Sequence, residues 1–163
     1  MADRFEDSYA GQLRALVGAR LLKLPGACVL IQSDKGEILL ERSVGREDYR
    51  LIGGLAEARE SMEQCARREI MEETGLTLGQ LTPYGFGDNP AYIGALPNGH
   101  VMHSLTMLFF TNSYSGDLVL DTEEIAQCGW FPWDALPDNL SPRTRDFIRA
   151  YLRFRETGDF QLV

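Results

Sequence analysis

Two spacings of apolar residues alternate along this chain, one typical of helices and the other of strands. From Tyr9 to Val17 the apolar side chains follow helical spacing, which predicts a helix that ends at Gly18. Ser141 and Pro142 are the residue types favoured at a helix cap and at the first helical position, so they predict a C-terminal helix. Strand-type runs occur near residues 24–32, 37–42, 76–86, 101–111 and 127–131. Helices interleaved with strands indicate the α/β fold class.

The connections add detail to this outline. The segment 34–36 (Asp-Lys-Gly) predicts a tight turn that joins strands 24–32 and 37–42 into a hairpin. Residues 113–117 predict a second hairpin turn. The fourth predicted strand has no polar face and should therefore lie in the centre of the sheet. Residues 87–99 form a long loop with several Gly, Pro and Asn residues, and such loops are more often functional than idle.

The clearest local pattern predicts a helix between Ser61 and Thr74. Ser61 and Gln64 have the spacing of a capping box, in which each side chain accepts a hydrogen bond from the backbone of the other residue. The segment contains neither glycine nor proline, and Gly75 stands where a left-handed residue commonly ends a helix. One helix of roughly three to four turns follows.

This helix places three carboxylates on one face. At about 100° per residue, Glu69 and Glu73 lie nearly above one another, and Glu72 is displaced by about 60° from Glu69. Like charges at this spacing destabilise a helix, and Arg68 can pair with Glu72 but cannot neutralise all three. A divalent cation that prefers oxygen ligands, Mg²⁺ or Mn²⁺, would compensate them. The alternative is a solvated acidic face with surface ion pairs.

The glycines and charged residues of this region follow one fixed spacing. They are Gly54, Glu60, Arg68-Glu69-Ile70, Glu72-Glu73 and Gly75-Leu76, separated in turn by five, seven, one and one residues. With this pattern the chain resembles the Nudix hydrolases, whose defining box has these residue types in this order. The resemblance implies an α/β/α sandwich with a mixed, curved sheet between helices. It also implies a single domain over residues 1–163, with residues 1–22 as an N-terminal helical extension packed on it.

The resemblance further implies roles for the residues of the box. Glu69, Glu72 and Glu73, together with the backbone carbonyl of Gly53, would bind Mg²⁺ or Mn²⁺. Arg68 would orient Glu72 or another of these glutamates from outside the metal's own ligands. Glu72, Glu73 and Arg68 are therefore candidate catalytic residues.

Other residues would support this centre. Gly54 and Gly75 would shape the loop before the helix and the end of the helix. Glu57 and Glu60 would either support that loop or bind a metal through water. The general base would be a glutamate of the box or a carboxylate on a later loop, where Glu124 is the candidate. A solvated acidic loop is the alternative interpretation of the segment around Glu124.

Two departures from the family pattern and two weak substrate candidates stand out. Residue 52 is Ile where the family usually has Pro, and Arg59 stands where Gly usually precedes Glu60. Arg59 could tighten the loop or place a cation near a phosphate. Tyr92 lies in the region where dinucleoside polyphosphate hydrolases have a tyrosine, and His100 follows a loop that could reach the substrate. Both could equally be ordinary structural residues. The marker motif of NADH-type enzymes is absent.

Composition bounds the class of protein. A length of 163 residues suits one domain. The net charge of −8 disfavours nucleic acid and anionic membrane as partners. The N-terminus lacks a signal-type apolar segment, and no apolar run approaches the ~20 residues of a membrane span, so we expect a cytoplasmic protein. The three cysteines, Cys28, Cys65 and Cys128, have no metal-type spacing and are expected to be reduced, mostly buried thiols.

Together these features predict a metal-dependent pyrophosphatase acting on a nucleoside diphosphate linked to another moiety. A nucleotide sugar, ADP-ribose, a dinucleoside polyphosphate and a (d)NTP are all open as substrates. The alternative is a nucleotide-binding sensor of the same fold without turnover, but such sensors often lack glutamates that are intact here. The apolar stripe of the N-terminal helix is also compatible with a homodimer.

Overall fold

The computed structural model describes residues 5–95 and 99–163 of the chain. Its helices are α1 (Tyr9–Val17), α2 (Met62–Thr74) and α3 (Pro142–Thr157), with a short 3-10 turn at Pro90–Tyr92. Its strands are β1 (Leu22–Ile31), β2 (Ile38–Ser43), β3 (Ile52–Leu55), β4 (Thr77–Leu78), β5 (Thr82–Gly87), β6 (Gly94–Ala95), β7 (Val101–Thr111), β8 (Tyr114–Ser115), β9 (Ile125–Phe131) and β10 (Gln161–Leu162). The predicted α1, α2, α3 and central β7 are confirmed.

A mixed sheet forms the middle of the fold. Its strands run in the order β10, β5, β7, β1, β3, and β6 pairs with the start of β7. Strand β7 lies parallel to β1 and antiparallel to β5, whereas β1 is antiparallel to β3. The apolar β7 is thus central, as its lack of a polar face predicts.

The two faces of this sheet carry separate hydrophobic cores. In β1, Ala27, Val29 and Ile31 belong to one core, whereas Cys28 and Leu30 belong to the other, because successive side chains of a strand point to opposite faces. Helix α2 contributes to the first core and α3 to the second. The predicted sandwich with a sheet between helices is therefore confirmed.

Two predicted hairpins are wrong. The turn at 34–36 forms, with Gly36 at φ 82°, but only one bridge, between Gln32 and Ile38, joins β1 to β2. Strand β2 pairs with β9 instead, because β1 already has β3 on one edge and β7 on the other. Likewise β8 does not form a hairpin with β7, whose edges are occupied, and pairs with β4. The predicted strand 76–86 is interrupted around Gly79 into β4 and β5.

Helix α1 buries a different side from the one that its apolar stripe predicts. Its buried residues are Ala10, Gly11 and Arg14, whereas Leu16 is 83% exposed. On α3, Phe147 and Tyr151 are buried. Within the part of the chain that the structure describes, no helix combines the length and apolar composition needed to cross a membrane.

Candidate metal centre

Local hydrogen bonds fix both ends of the helix that carries the carboxylates. Oγ of Ser61 accepts from the backbone N–H of Gln64 at 3.2 Å, and Oε1 of Gln64 accepts from the backbone N–H of Ser61 at 2.9 Å. At the other end Gly75 has φ 72° and donates its N–H to the carbonyl of Met71. The capping box and the glycine stop are confirmed, so α2 starts and ends where the sequence predicts.

The glycine pair before this helix is required by close approach of backbone and side chain. A Cβ on Gly53, whose φ is 151°, would lie 2.0 Å from the carbonyl oxygen of Ala27. A Cβ on Gly54 would lie 2.4 Å from Oε1 of Glu69. Gly53 therefore lets β3 pair closely with β1, and Gly54 leaves room for a carboxylate of the box.

Arg68 joins the box carboxylates to the preceding loop. Its guanidinium donates to both carboxylate oxygens of Glu60, at 2.8 and 3.0 Å, and to the carbonyl of Leu55 at 2.9 Å. It also donates to Glu69 at 2.8 Å and to Glu72 at 3.0 Å. The hydrogen bond to Glu60 is the largest of the effects that raise the pKa of Arg68 further above its usual range. One permanent cation thus orients three glutamates.

The two glutamates of the loop have separate partners. Glu60 accepts from the backbone N–H of Glu57 at 2.9 Å, in addition to its pair with Arg68. Burial raises the pKa of Glu60, but these hydrogen bonds outweigh it and hold the pKa below its ordinary value. The carboxylate of Glu57 accepts from the backbone N–H of Tyr9, at the start of α1, at 3.0 Å. Glu60 thus connects this loop to Arg68, and Glu57 connects it to α1.

Glu73 is the most perturbed carboxyl of the box. Its side chain is buried, and its Oε2 has no hydrogen-bond partner among the described residues. The pKa of Glu73 is raised to about 9, with burial as the largest cause and the negative charges of Glu69, Glu41 and Glu124 contributing to the increase. Burial also raises the pKa of Glu69, against the opposing effect of Arg68. The buried carboxyls of Glu69 and Glu73 therefore have too little positive charge near them to balance a negative charge on both.

The segment that follows β8 closes the C-terminal end of α2. The N–H of Val119 donates to the carbonyl of Thr74 at 2.8 Å, and the N–H of Asp121 donates to the carbonyl of Glu73 at 3.2 Å. Glu124 belongs to the same segment and has an exposed side chain. Its charge contributes to the raised pKa values of Glu69 and Glu73, so this candidate base lies on the same side of the fold as the box.

A buried ion pair beside the box was missed by sequence reasoning. Glu41, on β2, is 2% exposed and accepts from Arg50 and from Oγ of Ser43. Burial is the main cause that raises the pKa of Glu41, with Arg50 opposing it. The charges of Glu41 and Arg50 both act on Glu73. The available signal was a charged residue directly after three apolar residues in a predicted strand.

The three substrate candidates lie on separate segments of the chain. The hydroxyl of Tyr92 donates to Asp146 on α3, and the Tyr92 ring lies edge-on to Phe147 with the ring centroids 6.2 Å apart. Tyr92 thus belongs to the core on the α3 face. Arg59 is exposed in the loop before α2, and His100 is half-buried just before β7. Residues 96–98 of the predicted functional loop lie outside the described residues.

The donor set fits a hard divalent cation, although Glu69 and Glu72 are directed toward Arg68. Within residues 5–95 and 99–163, no group of three Asp, Glu, His or Cys side chains is arranged to hold a metal ion. The unpartnered oxygen of Glu73, the oxygen-only donors and the local excess of negative charge are nevertheless what Mg²⁺ or Mn²⁺ requires. Binding a cation would need Glu69 and Glu72 to share their hydrogen bonds with Arg68.

Comparison with known proteins identifies the family of the chain. A family model described as NUDIX domain matches residues 22–151 of the chain. The chain belongs to the NUDIX family. A crystal structure of a MutT NUDIX hydrolase from Burkholderia pseudomallei has a TM-score of 0.68 and 26% identity to it, and the match covers 79% of this chain and 98% of that one.

Curated NUDIX relatives are longer than this chain. The NAD-capped RNA hydrolase NudC of Pseudomonas aeruginosa is 34% identical over 137 residues, which cover 82% of this chain and 46% of that protein. The protein of the same name from Pectobacterium atrosepticum is 30% identical over 120 residues, covering 72% of this chain and 42% of that protein. The chain therefore spans about half the length of these relatives. Helix α1 lies outside the matched segment 22–151.

Proposed function

We propose that this NUDIX protein is a metal-dependent pyrophosphatase that hydrolyses a nucleoside diphosphate linked to another moiety. The observation that carries the proposal is the buried carboxyl of Glu73, whose Oε2 has no hydrogen-bond partner among the described residues, in a group of glutamates that one arginine cannot neutralise. A purely structural acidic helix would direct these side chains to solvent. Membership of the family supports the same activity.

In this proposal the residues of the box hold Mg²⁺ or Mn²⁺ against the diphosphate. Glu69, Glu72, Glu73 and the backbone carbonyl of Gly53 are the proposed ligands. A bound cation would polarise the phosphorus and lower the pKa of the attacking water. Arg68 keeps Glu69 and Glu72 oriented through the hydrogen bonds described above. Metal and arginine together explain how an acidic site accepts a polyphosphate anion.

The reaction itself is the attack of water on one phosphorus. The water oxygen forms the new P–O bond, the bridging P–O bond breaks, and the second phosphate leaves with its oxygen. A carboxylate takes the proton of the water, and we propose Glu124 for this role because it is exposed and acts electrostatically on Glu69 and Glu73. Glu72 or Glu73 would serve instead if Glu124→Gln keeps its rate.

The relatives suggest a further class of substrate to be tested first. These relatives are named for NAD-capped RNA, and NAD is itself a nucleoside diphosphate joined to a second nucleoside. We therefore add NADH and NAD⁺ to the classes that the box alone allows. The net charge of −8 disfavours contact with an RNA body, so we propose a small dinucleotide or related molecule as substrate.

The decisive experiment is a substrate panel with Mg²⁺ or Mn²⁺. It contains NADH, NAD-capped RNA, ADP-ribose, nucleotide sugars, diadenosine polyphosphates and canonical and oxidised dNTPs, and products are separated by chromatography. Metal-dependent release of either product of cleavage, the nucleoside monophosphate or the other phosphorylated fragment of the substrate, supports the proposal. Tight binding of one ligand without cleavage would instead favour a nucleotide sensor.

The cellular location and the oligomeric state of the protein are also proposals. The three thiols are unpaired, as in most proteins of a reducing compartment, so we propose a cytoplasmic location. The exposed Leu16 on α1 is an apolar side chain that a second copy could cover, and we keep the homodimer as a proposal. Light scattering of the purified protein measures the number of copies directly.

A further inference from the structure

Helix α1 contacts the loop between Gly54 and Ser61, which precedes the candidate metal-binding helix α2. Helix α1 itself lies outside the matched NUDIX segment. We propose that α1 is a positioning element, which holds the loop between Gly54 and Ser61 so that Arg68 orients the metal-binding glutamates. Its consequence for catalysis rests on the proposed pyrophosphatase activity. Its consequence for the loop and for metal binding does not depend on any substrate.

The first link of this connection is a hydrogen bond at the start of α1. Ser8 caps the helix, and the next residue, Tyr9, donates its backbone N–H to Oε2 of Glu57 at 3.0 Å. The N–H groups of a first helical turn have no partner within their helix, and a negative charge is favourable there. Glu57 therefore links the loop to α1 through a hydrogen bond from the main chain of Tyr9, and the side chain of Tyr9 takes no part in this bond.

The second link runs from Glu57 to the box. The backbone N–H of Glu57 donates to Glu60 at 2.9 Å, and Glu60 accepts two hydrogen bonds from Arg68. Arg68 in turn donates to Glu69 and to Glu72. Hydrogen bonds therefore connect Tyr9 to the carboxylates of the box through Glu57, Glu60 and Arg68 without interruption.

The other end of α1 is attached to the sheet, so the helix cannot simply follow the loop. Arg14 is 5% exposed, and its guanidinium donates to the carbonyls of Gly18, Arg20 and Val101, with 3.0 Å to Gly18 and Val101. Val101 is the first residue of β7. A guanidinium buried against three carbonyls gives α1 a fixed position from which Glu57 can be held.

The hydrogen bond between Tyr9 and Glu57 can be removed without touching the box. Tyr9→Pro deletes the backbone N–H, and proline is well tolerated at the first helical position. Ser8 already has the extended conformation, φ −67° and ψ 157°, that a residue before proline requires. Tyr9→Ala is the matched control, because it also loses the aromatic ring but keeps the N–H.

Two measurements on the full chain test the proposal without substrate. Calorimetric titration gives the affinity for Mn²⁺, and hydrogen exchange gives the protection of the amides of residues 57–61. Tyr9→Pro should weaken Mn²⁺ binding by about 3- to 10-fold, the range expected for one lost hydrogen bond. Exchange in the loop should speed up by a similar factor, whereas Tyr9→Ala should match the wild type in both.

A second variant guards against misfolding of the first. Glu57→Ala removes the acceptor instead of the donor, and the double variant with Tyr9→Pro should be no worse than the more affected single variant. Wild-type affinity and loop exchange in Tyr9→Pro would overturn the proposal. Equal losses in Tyr9→Ala and Tyr9→Pro would overturn it as well, because they would assign the effect to the ring.

Kinetics then separate this inference from the proposed function. If the substrate panel identifies a substrate, Tyr9→Pro should lower kcat and raise the Mn²⁺ concentration needed for half activation, with little change in KM for the nucleotide. A merely structural role would lower the unfolding temperature but leave these constants unchanged well below it. If no substrate is cleaved, the proposed function fails, and the Mn²⁺ and exchange measurements still decide the role of α1.

Discussion

Replacing Glu73 by glutamine should stabilise the metal-free protein while abolishing metal-dependent turnover. Glutamine has nearly the same shape as glutamate but carries no charge. The carboxyl of Glu73 is buried, its Oε2 has no partner among the described residues, and the carboxylates of Glu69 and Glu41 act on it. Without a cation, the charged form of Glu73 is therefore unfavourable in the folded state.

The pKa of Glu73 sets the size of this effect. Its pKa is raised from 4.5 to about 9 by burial and by neighbouring carboxylates, so at pH 7 the carboxyl is protonated when folded and ionised when unfolded. Because pH 7 lies about 2.5 pH units above 4.5, and each unit corresponds to about 1.4 kcal/mol, the folded state loses up to about 3 kcal/mol. We expect Glu73→Gln to recover about 1 to 3 kcal/mol.

The dependence on pH has a defined sign. Since the folded pKa of Glu73 is raised, the contribution of this residue to stability is fully present below about pH 4.5 and is lost progressively as the pH rises toward 9. The stability difference between Glu73→Gln and wild type should therefore be near zero at pH 4.5, grow through pH 7, and level off near pH 9.

Urea-induced unfolding in EDTA, followed at several pH values, measures this difference. Glu72→Gln is the matched control, because the Glu72 side chain is 59% exposed and its removal should change the free energy of unfolding by less than about 0.5 kcal/mol. Excess Mg²⁺ should reverse the order of wild type and Glu73→Gln, since a cation at about 100 times its Kd adds about 2.7 kcal/mol to the protein that binds it. A variant that is no more stable than wild type in EDTA, or a difference that is independent of pH, would refute the reasoning.

Three further substitutions test single contacts. Gly54→Ala should weaken Mn²⁺ binding in calorimetry but preserve the fold, because the new Cβ would lie 2.4 Å from Oε1 of Glu69 and displace that carboxylate; wild-type affinity would contradict this. Arg50→Met should lower the free energy of urea unfolding by about 1 to 3 kcal/mol, because it leaves the buried Glu41 without its cation, and a neutral result would show that the pair is dispensable. Ser61→Ala should cost about 1 kcal/mol through loss of the helix cap, seen as a lower thermal midpoint, whereas an unchanged midpoint would mean that the capping box is not needed.

Strand pairing could be predicted only in part. The apolar β7 was placed correctly because a strand without a polar face must be covered on both sides. Both hairpins were wrong because the sequence near a turn does not reveal that β1 and β7 already have neighbours on both edges. Strands that are distant in the chain pair with those edges, so β2 pairs with β9 and β8 pairs with β4.

The sequence alone determined the helix of the candidate metal centre and the residues on it. Ser61, Gln64 and Gly75 act through hydrogen bonds within a few residues of themselves, so their effect can be read from spacing. The shared face of Glu69 and Glu73 likewise follows from the helical period. Local interactions of this kind do not depend on where the rest of the chain lies.

Tertiary structure alone decided the surroundings of that helix. The pair of Glu41 and Arg50 forms because β2 and the segment before β3 meet side by side. The bond from Tyr9 to Glu57 joins residues 48 positions apart. Both contacts depend on the relative placement of distant segments, which packing of the whole core fixes and which no local pattern of residues encodes.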